Sequence, residues 1–355
     1  MAKSLGYSLA VLWGVATVLF LLFAVLPGDP ARMMLDQRED SEQLAAIRAK
    51  YGFDKPLAVQ YAYYLNDLSP ISWHRTDEST ALNALDKPGY QIALSIPIGN
   101  RAVALKAPYL RESFQRNGTQ VTDIVASTLP NTAVLALASI SLAFVMGVLL
   151  GIISALRPNS FIDRSLSVLS TLGMALPSFF SAILIAWLFG FLWADWTGLN
   201  MTGSLYTVDD FGEGVRLNYK NLILPAFTLG IRPLAVITQL TRSSLLDVLQ
   251  HDYIRTARAK GLKPVQVIWK HAVRNAMNPV VTATSGWFAS MLAGAVFVEY
   301  IFGWNGLGKE IVNALNQLDL PVVMGAVLVI GASFVLINLG VDVVYRWLDP
   351  RLKTK

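Results

Sequence analysis

Residues 242–279 read RSSLLDVLQHDYIRTARAKGLKPVQVIWKHAVRNAMNP, a basic amphipathic stretch between two long apolar runs. Arg242, Arg255, Arg258, Lys260, Lys263, Lys270 and Arg274 stand against only Asp247 and Asp252. Leu245, Leu246, Leu249, Tyr253 and Ala257 recur at helical spacing. Gly261 interrupts that pattern, and Pro264 can open a new helix because a first-turn residue has no intrahelical use for its N–H. The spacing predicts helix, break, helix, lying outside a bilayer. What docks on it decides the function.

The flanking runs decide the class. Of 355 residues, 54% are hydrophobic and 15% charged, with a mean hydropathy of +0.47. Soluble chains carry about 25% charge. Apolar runs at 9–26, 130–156, 166–193, 222–240, 280–302 and 321–345 are each long enough to cross about 30 Å of hydrocarbon. The first follows Lys3, exceeds a signal-peptide core and lacks an A-x-A cleavage site, so it is read as a retained helix. Arg157 and Arg164, the 242–279 loop, and the tail cations Arg346, Arg351, Lys353 and Lys355 fall on one face. Only Arg216, Lys220 and Lys309 fall in the loops of the other. The positive-inside rule then puts both termini and the basic loop in the cytoplasm, and it accounts for the net charge of +5 without nucleic acid. With no cysteine there are no disulfides, iron–sulfur clusters or thiolate zinc sites.

The expected fold is an all-α membrane protein of six transmembrane helices, with a mixed α/β extracytoplasmic loop between the first and second. It divides into residues 1–27 (cytoplasmic N-terminus and first helix), 28–128 (extracytoplasmic loop) and 129–355 (a five-helix core). In the loop, Asp40 and Gln43 form a capping-box pattern for a helix that Gly52 ends, and Pro56 starts another. QIALSIPI and RAVALKAP flank Gly99-Asn100, which predicts a β-hairpin. Gly147 and Gly151 form a G-x-x-x-G pair suited to close helix contact, and Pro177 and Pro233 are placed to kink their spans.

Catalytic chemistry is sparse. Residues 303–309, GWNGLGK, fit part of a phosphate-binding loop, but Glu310 replaces the magnesium-binding Ser or Thr and no strand precedes. His74, His251 and His271 are scattered, with no metal-binding spacing, and no G-x-S-x-G elbow exists. Ionisable residues in the spans are few: Arg232 inside the fourth, and Glu299 and Asp342 near the ends of theirs. Arg232 beside Pro233 faces either a polar pathway or a structural partner. An ion-coupled secondary transporter or channel is the alternative to a partner-driven one, but it predicts midplane ligands and inverted repeats that the sequence lacks. An intramembrane enzyme needs paired catalytic groups, also lacking. The basic loop by itself fits a docking partner or anionic membrane lipid equally.

The stretch RTARAKGLKPVQVIWKHAVRNAMNPVV resembles the cytoplasmic EAA-type loop of ABC-importer permeases of the dipeptide/oligopeptide/nickel class. Arg255, Thr256, Ala257 and Gly261 occupy the motif positions, with the usual Glu and first Ala replaced, as in the peptide branch. LPGDPARMML, YGFDKPLAVQY, TLPNTAVLAL, LGMALPSFF, LILPAFTLG, VEYIFGWNGLGKEI and LDPRL extend the resemblance over nearly the whole chain, except an insert at about 69–108. The resemblance implies a non-catalytic permease subunit working by alternating access. Its partners are two cytoplasmic ABC ATPases that carry ATP and Mg, a second permease and an extracytoplasmic substrate-binding protein. No cofactor binds this chain. The coupling residues are Tyr253, Ile254, Arg255, Thr256, Ala257, Arg258, Lys260, Gly261, Leu262 and Pro264, with Tyr253, Ile254 and Leu262 giving the apolar docking face. The substrate is a peptide or similar small solute in the inner membrane's transport path.

Overall fold

The computed structural model describes residues 2–25, 30–33, 41–77, 81–208 and 214–348. Asp40 and the tail cations Arg351, Lys353 and Lys355 lie outside these. The chain forms two compact units, residues 1–127 with 311–332 and residues 128–310 with 333–355.

In the first unit, α1 (Ala2–Val25) and the short α2 (Pro30–Met33) precede α3 (Ser41–Tyr51) and α4 (Leu57–Leu68). Gly52, at φ 74°, ends α3, and Pro56 caps α4, as the sequence predicts. Tyr61 of α4 packs tilted against Phe20 of α1 at 5.2 Å and Tyr64 stacks on it at 5.6 Å, and Thr17 shares a 2.6 Å hydrogen bond with Tyr61 Oη. The predicted hairpin is present as β2 (Ile92–Ile98) and β3 (Arg101–Lys106), turning at Gly99 with φ 62°. A further strand that the sequence reading missed, β1 (Ile71–Arg75), pairs with β3, giving an antiparallel sheet in the order β1-β3-β2. At five residues with an ISWHR pattern it is too short to signal itself by alternation alone. Asp319, 2% exposed, accepts hydrogen bonds from Ser113 Oγ and the Phe114 N–H.

From α5 (Val121–Leu156) onward the chain continues with α6 (Phe161–Ala175), α7 (Ser178–Trp187), a π turn at Leu188–Leu192, α8 (Ala194–Thr197) and the antiparallel pair β4 (Tyr206–Val208) and β5 (Val215–Leu217). Then come α9 (Lys220–Leu249), α10 (Asp252–Ala259), α11 (Pro264–Gln266), a π segment at Val267–Val273, α12 (Arg274–Gly294), α13 (Val296–Phe302), α14 (Leu307–Asn316) and α15 (Leu320–Leu348). Among the described residues, α1, α5, α9 and α15 are each long and apolar enough to cross a membrane. The pairs α6–α7 and α12–α13, bent by 110° and 57°, pass the same test when each is taken together.

Three expectations need correction. First, α5 starts at Val121 and carries Pro130 inside it, rather than starting at 130. Val121, Ile124 and Val125, all buried at helical spacing, extend the apolar stripe back a further two turns. Second, Pro177 does not kink a continuous helix. Leu176 before it is extended (ψ 130°), so the helix stops and α7 restarts, because a residue preceding proline is driven out of the α region. Third, the stripe from Leu245 to Ala257 belongs to two helices. α9 runs through Arg242 to Leu249, and extended backbone at His251 (ψ 148°) separates it from α10.

The close contact expected of the G-x-x-x-G pair is present. A Cβ on Gly147 would lie 2.8 Å from Ile237, and one on Gly151 would lie 2.6 Å from Thr241 Cβ and 2.7 Å from the Thr238 carbonyl oxygen. These glycines bring α5 against α9 at backbone distance.

Candidate functional site

The 242–279 stretch forms a helix, a break at Gly261 with φ 78°, and a second helical run opened by Pro264 at its first turn. Its two faces differ sharply. Ile254 (0% exposed) and Ala257 (6%) join Ile152, Leu245, Val248 and Val267 in a buried apolar cluster. Arg255, Thr256, Arg258, Lys260, Gly261 and Pro264 lie on the exposed side. Arg255 pairs weakly with Asp252 at 3.5 Å, and Thr256 donates to the Asp252 carbonyl at 3.0 Å. The apolar groups left in the open are Tyr253, Leu262, Val265 and Trp269. Ile254, expected on the docking face with Tyr253 and Leu262, points instead into the chain's own core. Buried apolar area drives that choice, since a fully buried Ile is stabilised by about 1.5–3 kcal/mol. Tyr253 accepts a hydrogen bond from Asn275 at 3.0 Å, which bridges the two arms of the stretch.

At the root of this stretch, Arg242 is not a free surface cation. Its Nε and Nη2 donate to Asp163 Oδ1 and Oδ2 at 2.5 and 2.7 Å. Asp163, 2% exposed, also accepts from Ser154 Oγ (2.5 Å) and the Asn159 N–H (2.8 Å). One carboxylate therefore joins the end of α5, the start of α6 and α9. The sequence reading passed over Asp163, although Ser160-Phe-Ile-Asp163 is a helix-start signature; the Asp163 N–H does donate to Ser160 Oγ at 3.2 Å.

Residues 303–309 form no phosphate cradle. Glu299, 0% exposed, accepts the Gly308 N–H at 2.7 Å and the Lys309 N–H at 3.1 Å through one carboxylate oxygen. The chain's own carboxyl group fills the N-terminus of α14, where a nucleotide phosphate would sit. Trp304, fully buried, donates through its indole N–H to the Asn131 carbonyl at 3.0 Å. Gly306 and Gly308 are obligatory here, because a Cβ on either would strike the Glu299 carboxyl group.

Arg232 reaches a small cavity of about 80 Å³ between α7, α9 and α12, with Ser178, Thr228, Trp287 and Ser290 also on its wall. His74 is fully buried, with Nε2 2.7 Å from Ser72 Oγ and Nδ1 3.2 Å from the Asn83 carbonyl oxygen. It belongs to the sheet of the first unit, while His251 contacts the Asp247 carbonyl at 3.0 Å. No group of three or more His, Asp or Glu able to hold a metal occurs among the described residues.

Among the described residues, several helices long and apolar enough to cross a membrane, together with an exposed basic helix–break–helix, define a polytopic membrane protein. Residues 147–354 match the family described as binding-protein-dependent transport system inner membrane component, and residues 2–80 match the N-terminal model of the same systems. The oligopeptide transport system permease protein AppB of Bacillus subtilis is 35% identical, over 98% of this chain and 96% of its own. The di/tripeptide transport system permease protein DppB of Pseudomonas aeruginosa is 32% identical, over 99% and 98%. Among solved structures, an inward-facing MetNI methionine ABC transporter matches with a TM-score of 0.51 at 16% identity, covering 64% of this chain and 97% of that one; the likeness is one of fold. The chain belongs to the binding-protein-dependent permease family, the ABC-importer family that its sequence motifs resemble. It is an inner-membrane, multi-pass transport component.

Proposed function

We propose that this chain is one of two permease subunits in an ATP-driven importer of peptides or similar small solutes, with six spans and both termini in the cytoplasm. Each bent pair then counts as one span. Residues 28–128 face the extracytoplasmic side, where a substrate-binding protein delivers solute. Two ATPases, which carry the ATP and Mg, dock on the 242–279 stretch. The observation that carries the reading is the two-faced geometry of α10: Ile254 and Ala257 are sunk in the permease core, while Arg255, Arg258 and Lys260 are presented outward beside the Gly261 break. Docking contacts come from Tyr253, Arg255, Thr256, Arg258, Lys260, Leu262 and Pro264. Ile254, Ala257 and Gly261 set the helix's seat and its angle. Individual exposed ion pairs contribute little, so apolar Leu262 and Val265 carry most of the affinity. Movement of the ATPase cleft passes through this segment as rigid-body displacement of the spans, giving alternating access. The cavity at Arg232 marks a point on the solute path. Its guanidinium is exposed at that cavity and suits a carboxylate-bearing solute.

The test is co-purification through a tag on this chain, expressed with its ATPases. Wild type retains them; Leu262→Asp and Arg258→Glu, both on the exposed face, lose them by about tenfold or more without altering the size-exclusion profile of the permease. Retention unchanged in both variants, or no ATPase with wild type, overturns the docking assignment.

A further inference from the structure

The segment between α1 and α5 holds a concavity of about 550 Å³, within the range of small-molecule sites. Lys50 of α3, Tyr63 and Asp67 of α4, and Lys87, Tyr109 and Arg111 from the following chain line it. Cations outnumber acids on its wall, with Asp67 and Glu112 the two acids. Asp67, 4% exposed, is fully engaged, accepting from Tyr90 Oη at 2.7 Å and from Arg111 Nε at 3.0 Å. Lys106, 3% exposed, points inward from β3 and donates to the Asp67 carbonyl oxygen. Lys87 donates to the Leu82 carbonyl at 3.2 Å and lies 5.6 and 5.5 Å from the Tyr90 and Tyr109 rings. Arg111 thus engages the Asp67 carboxylate, and of the remaining charges on the wall Lys50 and Lys87 stand against Glu112. Burial, the main cause, lowers the proton affinity of both Lys87 and Lys106, against the opposing pull of Asp67. Arg111 is held at φ 69°, a conformation that costs a non-glycine residue energy and that recurs where side chains are aimed for a purpose.

Such a site is completed by an anion, because a partly buried cation recovers its lost hydration only by pairing. The tyrosine walls add apolar and stacking surface for a body attached to that anion. We propose that the concavity bounded by Lys50, Lys87 and Arg111 binds the free carboxylate of a small peptide-like solute, a waypoint separate from the Arg232 cavity. The inference rests on the importer reading only for its placement on the side from which solute arrives. Lys50, exposed at the rim, makes the first contact, and Lys87 holds the carboxylate deeper.

The experiment uses the assembled permease–ATPase complex in nanodiscs without its binding protein, with trialanine and trialanine amide as probes. Trialanine binds wild type, and the amide binds about tenfold or more weakly. Lys87→Gln and Lys50→Gln each weaken trialanine binding about tenfold and leave the amide unchanged. Lys50 makes no buried contact, so its variant keeps the test decisive if Lys87→Gln folds poorly. Equal binding of acid and amide, no effect of Lys50→Gln, or no binding of trialanine at about 100-fold over the ATPase-retaining complex overturns the site. Because ATPase retention is scored on the same preparation, loss of the carboxylate site and loss of the importer reading give different results.

Discussion

Asp163 and Arg242, 79 positions apart in sequence, meet in a two-pronged ion pair at 2.5 and 2.7 Å, with the carboxylate also taking Ser154 Oγ and the Asn159 N–H. The acid is almost wholly buried and the guanidinium is 29% exposed. Removing one partner strands the other. Asp163→Asn is expected to lower stability by about 3 kcal/mol, less the part that water screens at Arg242. Paired with Arg242→Met, the second change should add much less than it costs alone. Thermal melts of the single and double variants in detergent check this. Strictly additive losses sink the coupling.

Glu299 serves the backbone of α14, so its replacement should be felt in stability and not in chemistry. Glu299→Ala leaves the Gly308 and Lys309 N–H groups unmatched inside the protein and is expected to cost about 3 kcal/mol. Gly308→Ala drives a Cβ to 2.5 Å from Val296 Cα and should cost about 1–3 kcal/mol. Yield of folded protein and melting temperature report both. Wild-type melting in Glu299→Ala would show that the cap is dispensable.

The α5–α9 contact separates two kinds of glycine. Gly151→Ala places a methyl 2.6 Å from Thr241 and 2.7 Å from a backbone oxygen, so about 1–3 kcal/mol of destabilisation is expected. Gly286→Ala, with nothing within 4 Å, should be neutral or gain up to about 1 kcal/mol from helix propensity. Parallel denaturation of the two variants decides it, and equal effects count against the close approach.

His74 gives the first unit an acid sensitivity. Burial, the main cause, holds its imidazole below the ordinary range, against the opposing pull of the Asn83 carbonyl. Above about pH 7 the ring is neutral whether folded or unfolded, and stability is flat. As pH falls through about 6.5 the unfolded chain takes up a proton that the folded one refuses, so stability declines until the folded pKa is reached. Melting temperatures of wild type should therefore fall between pH 7.5 and 5.5, and His74→Asn should flatten the slope while lowering the whole curve. A slope unchanged in that variant assigns the effect elsewhere.

Much of this was legible from periodicity. Long apolar runs, the Gly261–Pro264 punctuation and the hairpin around Gly99 are local signals, written within one or two turns of chain. What stayed hidden depends on partners distant in sequence. Nothing near Ile254 says which side of α10 faces inward, because Leu245, Val248 and Val267 close over it only after the chain has folded back. Arg242 counted as one more cation of the loop until Asp163 arrived from another helix. The sequence already ruled GWNGLGK out as a nucleotide loop, but not that Glu299 would fill the helix start there. The placement of β1 beside β3 is a long-range pairing that alternation in five residues does not announce.

The burial of Ile254 and Ala257 has a mechanical consequence. A helix resting on the surface by its polar side would rock on its tethers under load and spend the load in bending. α10 is instead keyed into a packed cluster that also holds residues of α5 and α9, and packed interiors are barely compressible. In the coupling role proposed for it, pressure on its outer face would reach the membrane helices with little slack, and α10 would act as the fixed foot of a lever whose arms are the spans themselves.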